Sequence, residues 1–304
     1  MSAKSDPLEL QAAYSVDAAE HYCAALARRE AKNFYWGFIA LPRAQRMAIY
    51  ALYSFAREVD DEADRPDGER DPARLAWHRD RLRRCLAGDY VDPVMQALGP
   101  AIARYQIPAA ELAQVIDGVE LDLHQNRYQS WEELRAYCRL VASAVGRMCV
   151  RVFGFTDPRA LVFADDLGQA MQLTNILRDI REDYFLFGRI YLPLGELARF
   201  GIDEARLVAA LHGTDGRGDG RDGDAWGAFV RSQAERAEGL FASGLQVASL
   251  IPTSSAVCVL TMAGIYQGIL QRIKRHPYLP LQRRVSLSPA EKLGVVVRAW
   301  LQAR

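Results

Sequence analysis

The stretch Gln172-Leu-Thr-Asn175-Ile-Leu-Arg178-Asp179-Ile-Arg-Glu182-Asp183 decides how this chain is read. At the helical period Asn175, Asp179 and Asp183 fall at i, i+4 and i+8, so one face presents an amide oxygen and two carboxylates in a row. Between them Leu173, Ile176, Leu177 and Ile180 are apolar. A polar row embedded among core-type residues is not an ordinary solvated face.

A second stretch of similar design lies in the other half of the chain: Tyr53-Ser-Phe-Ala-Arg57-Glu-Val-Asp60-Asp61-Glu62-Ala-Asp64. On a helix Asp60 and Asp64 stand one above the other, with Asp61 beside them and Arg57 one turn before Asp61. Like charges at that spacing destabilise a helix unless a cation offsets them. A single acidic cluster would be read as a solvated face paired with arginines. Two clusters point instead to a shared ion site. Oxygen-only ligands, few per site, suit magnesium, which keeps waters and completes its shell with phosphate oxygens. Asp60, Asp61, Asp64, Asn175, Asp179 and Asp183 are the candidate ligands, and a facing pair of such helices would hold a diphosphate between them.

The rest of the chain agrees with an all-helical reading. Apolar stripes recur at helical spacing, as in Met47, Tyr50, Ala51, Ser54 and Phe55 and again in Leu112, Val115, Ile116, Val119 and Leu123, while sustained period-2 runs are absent. Pro42, Pro66, Pro72, Pro93, Pro108, Pro158, Pro193, Pro252 and Pro289 punctuate the helices. With 50% hydrophobic and 25% charged residues, the 304-residue chain can bury a large core, and it reads as one domain over residues 1–304. Residues 1–15 and the Gly-rich stretch 213–224 are expected to be flexible.

Composition also excludes functions. The 38 basic and 38 acidic residues cancel, so no overall field draws the chain to nucleic acid. Five cysteines without a CxxC pair argue against a disulfide framework and a zinc site, and place the chain in a reducing cytoplasm. Gly239 to Gln271 carries no charge and is long enough to span a bilayer. Pro252 and the Thr253-Ser254-Ser255 cluster divide it, however, so a buried helix lining an apolar cavity is expected, with Ala263 on its inner side.

On these motifs the chain resembles the squalene/phytoene synthase family. The likeness extends to Asn33-Phe34-Tyr35, Leu41-Pro42, Gly118-Val-Glu-Leu-Asp122-Leu, Tyr137-Cys138 with Val141-Ala-Ser-Ala-Val145-Gly146, and Gly188-Arg189-Ile-Tyr191-Leu-Pro193, over roughly residues 20–300. Nearest within the family are bacterial presqualene diphosphate synthases, with phytoene synthases almost as similar. Ser143 stands where many members have Gly, and Ala31-Lys32-Asn33 replaces a serine-containing segment.

The resemblance implies an all-α isoprenoid synthase bundle around a central apolar cavity. It also implies two or three magnesium ions and head-to-head joining of two farnesyl diphosphates to presqualene diphosphate, or on to squalene. Phytoene synthesis from geranylgeranyl diphosphate is the alternative, and a terpene cyclase or a non-catalytic assembly factor are the alternatives of another class. Arg57, Arg178 and Arg189 are expected to meet diphosphate oxygens, with Lys32, Asn33, Gln172, Tyr191 and Arg284 completing the substrate site. Phe34, Phe38, Tyr53, Tyr137 and Tyr266 would offer aromatic faces to an allylic cation, and the Tyr53 and Tyr137 hydroxyls would orient diphosphate or accept a proton. No GxGxxG fingerprint occurs, so no NADPH is expected. Expected partners are the prenyl diphosphates, downstream squalene- or carotenoid-pathway enzymes, and a membrane surface touched transiently by a cytoplasmic protein.

Overall fold

The computed structural model describes residues 15–31, 34–65, 72–213 and 224–303. Lys32 and Asn33, residues 1–14 of the terminus, and the Gly-rich stretch apart from its ends Gly213 and Asp224 lie outside the described residues. Helices follow one another along the chain: α1 Val16–Glu30, α2 Tyr35–Phe38, α3 Arg43–Ala63, α4 Pro72–Leu86, α5 Pro93–Tyr105, α6 Ala109–His124, α7 Trp131–Cys138 and α8 Ala144–Phe153. Then come α9 Arg159–Phe187, α10 Leu194–Arg199, α11 Glu204–His212, α12 Ala225–Gly244, α13 Thr253–Arg275, α14 Leu279–Gln282 and α15 Pro289–Gln302. A π-helical turn, Arg139–Ser143, joins α7 to α8, and a 3-10 turn, Leu245–Ser249, lies between α12 and α13. Among the described residues the β content is one isolated bridge between Arg127 and Ile190.

Pro100 lies inside α5, but seven other prolines stand where a missing N–H costs nothing. Pro42, Pro108, Pro158, Pro193 and Pro252 stand immediately before helices, and Pro93 and Pro289 open them. Asp92, Ser130, Asp203 and Ser288 side chains accept from early backbone N–H groups, satisfying donors that a helix start leaves free.

The 29-residue helix α9 is central, packing against α8, α12, α13 and the π turn. One close approach falls at Gly168, where an added Cβ would lie 2.7 Å from Ser143 Cα and 2.8 Å from the Ala142 carbonyl oxygen. One turn further, a Cβ on Gly146 would meet the Ala164 carbonyl oxygen at 2.8 Å. Glycine at both crossings lets backbones touch and brings the walls of the cavity together. The uncharged stretch divides at Pro252, as expected. Helix α13 is long and apolar enough to cross a bilayer, yet 61% of its most apolar window is buried inside the bundle.

Candidate active site

Helices α2, α3, α8, α9 and α13, with the π turn and the 3-10 turn, surround a cavity of about 260 Å³. Its wall is apolar except at one end, where Asp60 of α3 and Gln172 and Asn175 of α9 line it. The remaining α3 wall residues, Ala56, Tyr53, Leu52 and Ile49, run down from Asp60 at helical spacing, and Met171, Gly168, Leu167 and Ala164 do the same from Asn175. From α13 it is Val259 and Met262 that line the cavity. Ala263, expected on the inner side, is buried but is not a wall residue, because one position along a helix turns a side chain by about 100°.

The two acid motifs share one charge cluster at the polar end. Arg57 Nη2 reaches Asp61 at 2.5 Å, and Arg189, itself buried, donates to Asp64 at 3.1 Å and to the Ala63 carbonyl at 2.8 Å. Arg178 forks onto both oxygens of Asp179 at 2.8 and 2.5 Å, and Arg284 approaches Asp179 and Glu182 at 3.2 Å each. Negative charge still dominates. Desolvation, reinforced by Asp64, pushes the Asp60 carboxyl up to about 7. Burial, reinforced by Asp179, raises Asp183 well above the carboxylate range, and Asp64 and Asp122 add to it across the gap between helices.

Among the described residues no three carboxylate, imidazole or thiol groups converge to make a metal cage by themselves. The donor set nonetheless fits magnesium. Asn175 Oδ1 is buried at the cavity with no hydrogen-bond partner, and Asp60 and Asp183 are carboxylates raised first by burial and then by neighbouring aspartates. A cation that takes only a few protein oxygens and completes its shell with water and phosphate matches such a site.

Four of the five candidate aromatics form one cluster. Phe34 lies 6.4 Å from Phe38, 6.3 Å from Tyr53 and 5.8 Å from Tyr266, and the Arg178 guanidinium sits 6.0 Å from the Tyr266 ring. Phe34, Phe38 and Tyr53 face the cavity, whereas Tyr266 backs them. Tyr137 lies elsewhere. Its hydroxyl donates to Asp122 Oδ2 at 2.8 Å, the Tyr191 hydroxyl donates to Asp122 Oδ1 at 2.8 Å, and the two rings stack at 5.2 Å. Burial, with Asp122 alongside, raises both phenols well above their usual value, so they act as hydroxyl donors.

Two residues of this region were given no site role from sequence. Asp122 is a buried carboxylate on the apolar face of α6, three positions after Val119, and that placement was the available signal. Lys292 of α15 is half-buried, and burial with Arg178 nearby lowers its pKa. Nothing local in the sequence marks it.

A family model described as squalene/phytoene synthase matches residues 27–291. Among curated relatives, the phytoene synthase of Mycobacterium bovis is 38% identical over 278 residues, covering 90% of this chain and 88% of its own. The 15-cis-phytoene synthase of Synechococcus elongatus is 34% identical over 303 residues, covering 95% and 94%. Among solved structures, squalene synthase HpnC from Alicyclobacillus acidocaldarius is 31% identical with a TM-score of 0.76, covering 86% of this chain and 95% of its own. A dehydrosqualene synthase in complex with ligand is 26% identical with a TM-score of 0.82, covering 98% and 100%.

Proposed function

We propose that this chain, which belongs to the squalene/phytoene synthase family and so is a prenyltransferase of the kind that condenses prenyl diphosphates head to head, takes two farnesyl diphosphates and releases presqualene diphosphate. The observation that carries the reading is the apolar cavity whose polar end takes Asp60 from one acid motif and Asn175 from the other. An allylic diphosphate set there has its charged head among Arg57, Arg178, Arg189 and Arg284 and its chain along the apolar wall.

When the C1–O bond breaks, its electron pair leaves with the diphosphate, and the arginine forks receive the growing negative charge. Magnesium ions, held by Asp60, Asp61, Asp64, Asn175, Asp179 and Asp183 together with diphosphate oxygens, would supply Lewis-acid stabilisation of that leaving group. The Phe34, Phe38 and Tyr53 rings offer π-faces to the allylic cation, and the apolar wall keeps water from it until the C2=C3 double bond of the second chain attacks. The cation this leaves at C3 is quenched when the attacked C1 gives a proton to the released diphosphate and bonds to C3, closing the cyclopropane. Asp122, with its two tyrosine hydroxyls, supports the far side of the charge cluster.

The C15 chain is favoured by the 31% identity to a squalene synthase. A second reading, phytoene synthesis from the C20 substrate, is favoured by the 38% identity to a phytoene synthase. Incubation with each diphosphate and magnesium, with and without NADPH, followed by mass analysis separates the two. Presqualene diphosphate from farnesyl diphosphate, unchanged by NADPH, is expected. Squalene formed only with NADPH, or a single-chain cyclised product, would contradict the proposal, and a marked preference for the C20 substrate would establish the second reading.

A further inference from the structure

The closed end of the cavity is defined by how its wall helices run. Gly168 meets the backbone at Ser143 and Gly146 meets it at Ala164, so α8 runs antiparallel to α9, and its last residue, Phe153, falls furthest from Asn175. Gln45 of α3 donates from Nε2 to the Phe153 carbonyl at 3.1 Å, and the Ser255 hydroxyl of α13 contacts Gln45 Oε1 at 3.3 Å. These bonds gather the start of α3, the end of α8 and the start of α13 at one place. Ile49, Val150, Phe153, Ala164, Val247 and Val259 line the cavity there.

Phe153 is the one aromatic ring in that group, and only 5% of the residue is exposed. We propose that Phe153 is the stop that sets prenyl chain length, with Ile49 of α3 as the neighbouring part of the floor. Its ring reaches about 4 Å beyond Cβ, close to the roughly 5 Å that one isoprene unit adds to an extended chain. A chain that fills the cavity from the polar end stops against this ring, and one isoprene unit more must displace it. Gly168 and Gly146 hold α8 fixed against α9, so the floor is not free to slide away as a longer chain enters. The other floor residues are aliphatic and shorter, and removing one of their methyl groups opens less than a unit of depth. This inference rests on the prenyl diphosphate reading of the site.

The test is a competition between equal concentrations of farnesyl and geranylgeranyl diphosphate, with the ratio of C30 to C40 products measured by mass. Wild-type protein favours C30. Phe153→Ala shifts the ratio towards C40 by about tenfold or more, the discrimination that a few methylenes in an apolar pocket command. Phe153→Leu, which keeps most of the packing and guards against a failure to fold, shifts it in the same direction by less. Phe153→Trp lowers turnover of the C15 substrate as well, through a raised KM. An unchanged ratio in folded Phe153→Leu and Phe153→Ala overturns the assignment of the stop, and a wild-type preference for C40 overturns the C15 reading that sets the expected direction. Absence of any head-to-head product from wild-type protein with either chain refutes the reading of the site itself, a result distinct from both.

Discussion

Replacing Gly168 by alanine tests whether the central helix and the π turn meet as closely as the cavity requires. In an ordinary helix the change is favourable by about 1 kcal/mol, because alanine loses less backbone freedom. Here the new methyl would lie 2.7 Å from Ser143 Cα and 2.8 Å from both Ala142 O and Ser143 N, all of them backbone atoms that no rotamer change can move aside. Restoring ordinary contact requires parting the two segments by roughly 0.6 Å or more, and overpacking of this kind costs about 1–3 kcal/mol or occasionally more. The expected outcome is a net loss of about 1–2 kcal/mol in urea unfolding, with the slope unchanged and the midpoint lowered. Gly239 of α12 provides the control, since a Cβ there meets nothing within 4 Å. Gly239→Ala should gain about 1 kcal/mol. Equal stabilisation by both substitutions would refute the close-approach argument, and with it the account of how the cavity walls are held.

Asp61→Asn and Asp179→Asn each remove charge from one acid motif, and each should lower the steady-state rate about a hundredfold or more at fixed magnesium, comparable with losing a key electrostatic stabiliser. Full turnover by the double variant would remove the shared-site interpretation. His78 supplies a pH prediction. It is 1% exposed, its Nδ1 accepts from Arg81 at 3.1 Å and its Nε2 lies 3.5 Å from Glu62, and burial, then the Arg81 charge, lowers its pKa from the ordinary 6.5 to about 4. Above pH 6.5 the ring is neutral in both folded and unfolded chains and contributes no pH dependence. As pH falls from 6.5 towards 4 the unfolded chain takes up a proton that the folded one refuses, so stability drops, by about 3 kcal/mol at the limit. Unfolding measured against pH should therefore be less steep over that window in His78→Gln than in wild type, and identical slopes would contradict the burial argument.

Much of this arrangement was legible in the residues. The i, i+4, i+8 row from Asn175 to Asp183 and the Asp60–Asp64 pair depend only on helical period; the row lies on α9 and the pair at the end of α3, and Asn175 and Asp60 line the polar end of the cavity. Pro252 announced its helix start because proline carries no N–H to continue a preceding turn. Rotation about a helix axis was harder to read. Ala263 and Met262 differ by one position, and which faces inward depends on where α2 and α15 pack against α13. Asp122, Tyr137 and Tyr191 come from α6, α7 and the segment after α9, so their hydrogen-bonded group exists only once those elements meet. Lys292 belongs to the same class: α15 brings it near Arg178 across more than a hundred residues of sequence.

The central claim is that two prenyl chains are joined while one diphosphate is kept, and the direct measurement is stoichiometry. With farnesyl diphosphate labelled at C1, magnesium and no NADPH, inorganic diphosphate release and prenyl consumption are followed together, and the product is examined by NMR for bonds made at the labelled carbons. The account predicts one diphosphate released for every two prenyl chains consumed, with labelled carbon in a cyclopropane ring. One diphosphate released per chain consumed, with no bond between two chains, would contradict it.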